Sequence, residues 1–84
     1  MTVSTINYPV EVATWSKNAK ECVRVSLDEY MGTPTFSAWI YYATDAGDWK
    51  PSRKGLALSA KHLPALLEAV TRAEYQARAD GLLS

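Results

Sequence analysis

The stretch that decides the fold is Cys22–Tyr30, with the sequence CVRVSLDEY. Its apolar side chains are Val23, Val25 and Leu27, and polar residues such as Arg24 stand between them. A period of two is typical of a β-strand with one apolar and one polar face. The stretch therefore predicts a strand whose two faces have different surroundings.

Three further strands are predicted around this one. Val10–Trp15 alternates before it, and the polar segment Ser16–Lys20 predicts a turn between the two. Pro34–Ala43 follows and is rich in aromatic residues, which favour strands. Asp45–Asp48 predicts the next turn, and Leu56–Leu58 predicts a short fourth strand. The basic segment between them, residues 49–55, predicts a loop or an irregular strand.

One helix is predicted after the last strand. Ser59 suits its N-cap, and Asp80-Gly81 predicts its end. Pro64 either removes one hydrogen bond near the start or marks the true first turn. An apolar stripe at helical spacing, predicted to be core or dimer interface, consists of Leu63, Leu66, Leu67 and Val70. The order predicts an α+β fold, in which a four-stranded antiparallel sheet is followed by one C-terminal helix that covers one sheet face.

The length of 84 residues predicts a single domain over residues 11–84, preceded by an uncharged N-terminal arm, residues 1–10. Nine basic residues balance nine acidic ones, so the net charge by itself does not favour nucleic-acid binding. Three Trp and five Tyr are many for a small core, which suggests that some of these rings lie on a binding or subunit surface.

The residue pattern does not favour an enzyme, a metal site or a cofactor. His62 is the only histidine, and the sequence contains no Gly-rich phosphate loop and no nucleophile–base set. Cys22 is the only cysteine, which suits a reducing compartment. No apolar run approaches the roughly 20 residues of a membrane span, and no signal peptide is predicted. We expect a cytoplasmic protein without membrane contact.

The predicted sheet face away from the helix is the candidate binding surface. By strict alternation the helix side carries Phe36, Ala38, Ile40 and Tyr42, whereas the open side carries Arg24, Ser37, Trp39 and Tyr41. Large rings on an uncovered face need a partner, which is a second subunit, a nucleic-acid strand or both.

Several segments together point to a known family. Its opening strands are matched by Lys17-Asn18 and Val23–Leu27, followed by Glu29-Tyr30 and Gly32. Its signature is matched by Tyr41-Tyr42, an acidic turn, the Lys-Pro-x-Arg-Lys-Gly element within residues 49–55, and a leucine-rich helix. Over roughly residues 11–72 the chain resembles the C-terminal domain of positive cofactor four, a family with bacterial and phage members.

The resemblance implies a homodimer of curved sheets with helices at the subunit interface. It implies single-stranded DNA across the sheet surfaces, bound largely without regard to sequence, in transcription regulation, replication or recombination. Arg53 and Lys54 would contact phosphates, while Tyr30 and Tyr42 would stack on bases. The implied location is the nucleoid of a bacterial or phage-infected cell, or the nucleus of a eukaryotic one.

The chain departs from the family at three positions. Met31 and Thr33 stand where the family often has lysine, and Trp39 stands where an arginine is common. These departures shift the expected balance from phosphate contact towards stacking.

The predicted nucleic-acid site combines a basic track with stacking rings, as single-strand binders do. Its members are Lys17, Lys20, Arg24, Tyr30, Trp39, Tyr41, Tyr42, Lys50, Arg53 and Lys54. The same region holds the acids Glu11, Glu21, Asp28, Glu29, Asp45 and Asp48, so the two sets must be separated in space.

Alternatives remain open at this stage. Trp39 and Tyr41 also suit a subunit interface, Tyr42 suits a core, and the Arg53-Lys54 pair suits a solvated loop. A protein-interaction module that recruits transcription or replication proteins is the competing function. The residues do not distinguish DNA from RNA.

Overall fold

A computed structural model describes residues 9–83, which form an open antiparallel sheet and one α-helix. The strands are β1 (Val10–Asn18), β2 (Glu21–Tyr30), β3 (Thr33–Ala43) and β4 (Trp49–Ser59), paired in that order. A 3-10 turn (Ala60–His62) leads into helix α1 (Leu63–Ala79). The α+β fold predicted from the sequence is confirmed. Most of the predicted N-terminal arm, residues 1–8, lies outside the described residues.

The first hairpin is tighter than predicted. The predicted extent of the turn, Ser16–Lys20, is wrong, because β1 continues to Asn18, which pairs with Glu21. The Asn18 side chain allows this, since its Oδ1 accepts a hydrogen bond from the Lys20 amide at 2.9 Å. An asparagine side chain that replaces a backbone acceptor lets the chain reverse within two residues.

Strand β4 is longer than the predicted strand Leu56–Leu58 and includes the basic segment. Tyr41 pairs with Pro51 and Trp39 pairs with Gly55, so residues 52–54 stand opposite one residue of β3. We call these three residues the basic bulge. Inside it, the Lys54 amide donates a hydrogen bond to Ser52 Oγ at 3.0 Å. The prediction of an irregular strand is therefore confirmed, and the irregularity is a β-bulge with two extra residues.

Helix α1 begins later than predicted and ends as predicted. Ser59 makes no side-chain cap, and the α-helix starts at Leu63 with Pro64 in its first turn. Gly81 has a φ of +74°, and the Leu82 amide donates to the Ala77 carbonyl at 2.8 Å. This is a Schellman ending, for which glycine is the favoured residue. No helix among the described residues is long and apolar enough to cross a membrane.

Helix α1 does not cover the sheet, so this part of the prediction is wrong. The 3-10 turn touches β3 and β4, whereas α1 makes little contact with any strand. The 3-10 turn directs the helix away from the sheet that it has just left. Leu67 in its apolar stripe is 68% exposed, and no side chain among residues 9–83 is buried. The described chain has apolar surfaces but no core of its own.

The turn between β2 and β3 holds an unfavourable residue. Met31 and Gly32 have φ values of +51° and +83°, which is a type I′ turn. Met31 is the only non-glycine residue with a positive φ among the described residues. Type I′ turns prefer Asn-Gly, because asparagine tolerates the left-handed region better than an unbranched apolar residue does.

Met31→Asn is expected to raise the free energy of unfolding by roughly 1 kcal/mol, since it relieves a left-handed residue. Thermal denaturation of the variant beside the original chain measures this gain. Thr33→Asn is the matched control, because Thr33 lies next to the turn without a positive φ. An equal gain from both changes would contradict the explanation.

Candidate nucleic-acid interface

The strand register divides the sheet into two chemically different faces. Residues paired directly across strands point to the same side. Arg24 pairs with Trp39, and Trp39 pairs with Gly55, which places all three on one side. We call this side the polar face; its main residues are Glu11, Thr14, Arg24, Ser26, Thr35, Ser37, Trp39, Tyr41 and Gly55. The apolar face carries Trp15, Val23, Val25, Leu27, Phe36, Ala38, Ile40, Leu56 and Leu58. The prediction that Arg24, Ser37, Trp39 and Tyr41 share one face is confirmed.

Arg24 is held in place at the centre of the polar face. Its Cζ lies 4.5 Å from the centroid of the Tyr41 ring, within the range of a cation–π contact. Its Nε lies 3.9 Å from Glu11 Oε1, and both side chains are partly exposed. Such a pair is weak and screened by salt. The guanidinium is therefore positioned by an aromatic ring while its donors stay available to an anion.

Trp39 lies flat against strand β4. A Cβ atom built on Gly55 would lie 2.7 Å from Cζ3 of the indole and nearer still to Cε3 and Cδ2. Real Cβ atoms do not approach this closely, so the indole occupies the space that a side chain at position 55 would need. Glycine at this position is required by the ring across the strand, and not by its own φ.

Most of the predicted basic residues gather at one end of the sheet. The first hairpin and the start of β4 meet there, where the Ala43 amide donates to the Lys20 carbonyl at 2.9 Å. This basic end consists of Lys17, Lys20, Lys50, Arg53 and Lys54. Tyr42 pairs with Lys50 and with Glu21. It therefore lies on the apolar face of the sheet, on the side opposite to Trp39. It is nevertheless 41% exposed, because it lies at the edge.

Three carboxylates lie at the basic end: Glu21, and Asp45 and Asp48 in the turn between β3 and β4. Glu21 Oε1 accepts hydrogen bonds from Asn18 Nδ2 at 2.8 Å and from Lys17 Nζ at 3.0 Å. The bond from Asn18 lowers the pKa of Glu21 most, followed by the bond from Lys17, with a smaller contribution from the charge of Lys54. Glu21 therefore neutralises part of the basic end. Its spacing of four residues from Lys17 was a readable signal. The expected separation of the basic and acidic sets is wrong at Glu21, because this carboxylate lies against Lys17.

Tyr30 is separated from the other candidate rings. It ends β2, whereas the basic end lies at the start of that strand, about 30 Å away at roughly 3.3 Å per residue. Tyr30 and Met31 are 70% and 86% exposed, and the acids Asp28 and Glu29 precede them. The structure thus groups Arg24, Trp39 and Tyr41 near the basic end and leaves Tyr30 at an acidic tip.

A second surface lies beside α1. An open cleft of about 860 Å³ is lined by Trp15 of β1 and by α1 residues including Leu67, Val70 and Ala77. Leu83, beyond the helix end, closes one side. Cys22 is a free, half-buried thiol, and within residues 9–83 no cluster of His, Cys, Asp and Glu is suited to a metal ion. The lining of the cleft itself is mainly apolar.

The depressed pKa of Glu21 leads to a pH-dependent prediction. A carboxylate whose pKa is lower in the folded state stabilises the fold above its unfolded pKa and loses this effect as the pH falls through the folded value. The melting temperature of the original chain should exceed that of Glu21→Gln at neutral pH. The gap should shrink as the pH falls below the ordinary value of 4.5. Glu68→Gln, whose carboxylate faces only Arg72 at 3.8 Å, is the control and should show a smaller gap.

Solved structures with this fold exist in bacteria and phage. A PC4 homolog from Burkholderia pseudomallei matches with a TM-score of 0.72 and 21% identity, over 79% of this chain and 97% of that one. The bacteriophage T5 homolog of the eukaryotic coactivator PC4, implicated in recombination-dependent DNA replication, matches with a TM-score of 0.65 and 20% identity, over 93% and 99%. MoSub1 in complex with DNA matches with a TM-score of 0.59 and 21% identity, over 93% and 95%.

Sequence comparison agrees with the fold. No curated protein matches the chain significantly. The family Transcriptional Coactivator p15 (PC4) matches residues 17–69, which include the last two residues of β1, the whole of β2, β3 and β4 with the basic bulge, and the start of α1. Because this match spans more than half of the 84 residues and the fold is the same, the chain belongs to the PC4 family.

Proposed function

We propose that this chain binds single-stranded DNA as a homodimer, without sequence preference, in transcription regulation or in DNA replication and recombination. The observation that carries the proposal is the Arg24 guanidinium stacked on Tyr41, next to Trp39, on a face that no described element covers. Rings and a positioned cation on one open sheet are the two components that single-strand binders combine.

The polar face offers both components along one path. Trp39 and Tyr41 are half-buried rings on which bases would stack, at about 1–3 kcal/mol per base. Arg53 and Lys54 of the basic bulge flank this path, and neither forms a salt bridge among the described residues. Because stacking tolerates every base, such a path favours affinity without sequence preference.

The relatives support DNA as the ligand. The family is one of transcriptional coactivators by its description, and MoSub1 is a relative whose structure includes DNA. The phage T5 relative is implicated in recombination-dependent DNA replication. These properties belong to those proteins, and the match in fold makes DNA the first ligand to test here.

The proposal of a dimer rests on the missing core. The apolar face, the stripe of α1 and the cleft beside Trp15 are all uncovered among residues 9–83. Contiguous exposed apolar surface of this kind marks an association site. A second copy of the chain presents the same stripe and so gives a closed, symmetric interface.

Recruitment of a transcription or replication protein is a second candidate function. The observation in its favour is the tip formed by Tyr30 and Met31, which is exposed, aromatic and apolar, and adjoins Asp28 and Glu29. Carboxylates at this tip repel phosphates, whereas an apolar pocket with a basic rim on another protein would accept it.

The function is tested by titrating labelled oligonucleotides of equal length, single-stranded and double-stranded, at several salt concentrations. The single strand is expected to bind more tightly, and RNA of the same sequence is included as a competitor. If about four phosphates are neutralised, log K should fall against log salt with a slope near −3, from roughly −0.7 per phosphate. Equal affinities for the single strand and the duplex would contradict the proposal of single-strand binding.

The double variant Arg53→Ala/Lys54→Ala should weaken binding and flatten the salt slope by about 1.4, since two phosphate contacts are lost. The matched control is Arg72→Ala/Arg78→Ala, which removes the same charge from α1. Both control arginines pair with glutamates of their own helix, Glu68 and Glu74. A slope that is unchanged in the first variant, or equally changed in both, would remove the basic bulge from the interface.

Leu67→Asp should dissociate or unfold the dimer, because it places a charge in the exposed stripe of α1. Sedimentation velocity and thermal denaturation measure the two results. Ala65→Asp is the control, since two residues along a helix turn the side chain by about 200° and so to the opposite side. Sedimentation of the original chain as a folded monomer at micromolar concentration would overturn the dimer.

A further inference from the structure

We propose that Trp39 and Gly55 form a positioning pair that holds the basic bulge in register, so that phosphate contact by the bulge depends on an indole on the neighbouring strand. This inference rests on the proposed function and adds to it a second role for Trp39. The juxtaposition that carries it is the indole seated on Gly55, the first residue after the bulge.

The strand register shows why this contact is an anchor. Regular pairing between β3 and β4 stops at Tyr41–Pro51 and resumes at Trp39–Gly55. The three residues of the bulge lie between these two pairs and have no regular pairing of their own. Whatever fixes the second pair fixes the point at which the bulge rejoins the sheet.

The contact itself has little freedom. Because the indole fills the space of a missing Cβ, it lies directly on the backbone of Gly55 and resists sliding of β4 along β3. A longer or branched side chain at position 55 forces either the ring or the strand to move. The two residues therefore depend on each other: the indole fits only against a residue without a Cβ atom, and the backbone of Gly55 is held in place by the indole.

Inside the bulge, restraint is local. Ser52 Oγ accepts a hydrogen bond from the Lys54 amide at 3.0 Å, which fixes the shape of the bulge but not its place on the sheet. The side chains of Arg53 and Lys54 are exposed. Their approach to a phosphate is thus set by backbone position, and that position is held on one side by Trp39 and Gly55.

The test is a double-mutant cycle with Trp39→Ala, Gly55→Ala and the combination, read as affinity for a labelled oligothymidylate and as salt slope. Gly55→Ala alone should weaken binding about tenfold, and less than about twofold when Trp39 is already alanine, because contacting residues couple. Each single variant should also flatten the salt slope towards that of Arg53→Ala/Lys54→Ala. Trp39→Phe keeps a flat ring and should retain most of the slope.

Ala57→Ser is the matched control, since it adds one heavy atom to β4 two residues further on and should leave binding unchanged. An equal effect of Gly55→Ala in both backgrounds would overturn the pairing, because the glycine would then act through its own strand. Lower affinity of Trp39→Ala with an unchanged slope would also overturn it and leave Trp39 as a base platform only. If the original chain binds no oligonucleotide, the proposed function fails, and the same cycle in melting temperature still tests the pair.

Discussion

The constraint on which the rest of the structure depends is the three-residue connection between β4 and α1. The conformation of this connection, a 3-10 turn, directs the helix away from its own sheet, so neither the apolar sheet face nor the stripe around Leu67 is covered within the described chain. Burial of apolar surface is the dominant favourable term in folding, and this chain must obtain much of it from a partner. The proposed dimer supplies that burial on one side and thereby leaves the polar face free for a ligand.

Charge is sorted along the same sheet. Within the overall balance of nine basic and nine acidic residues, the five cations of the basic end outnumber Glu21, Asp45 and Asp48, whereas Asp28 and Glu29 form an acidic tip at the other end of β2. Glu21 moderates the basic end, and Glu11 lies beside Arg24. A neutral chain is thus compatible with a local phosphate track, since screening at physiological salt confines each charge to about 8 Å.

The sequence predicts those features that depend on near neighbours. The alternation of Val23, Val25 and Leu27 predicts β2 and its faces, and Gly81 predicts the end of α1. Features set by distant residues were missed. The extent of β4 depends on how residues 52–54 fit against β3, and the direction of α1 depends on a short turn whose geometry no periodicity reveals. The requirement for glycine at position 55 could not be predicted either, because its partner Trp39 is known only once the register is known.

Trp39 connects the charge of the polar face with the position of the basic bulge. The resemblance to the family implies an arginine at this position, whose charge would be available to a phosphate. The indole has no such charge, yet it lies on the residue that ends the basic bulge, whose own Arg53 and Lys54 are free to reach a phosphate. On the proposed scheme the exchange removes one cation from the face and stabilises the placement of two others. The loss of a phosphate contact at one position and the requirement for glycine at another are then two consequences of one substitution.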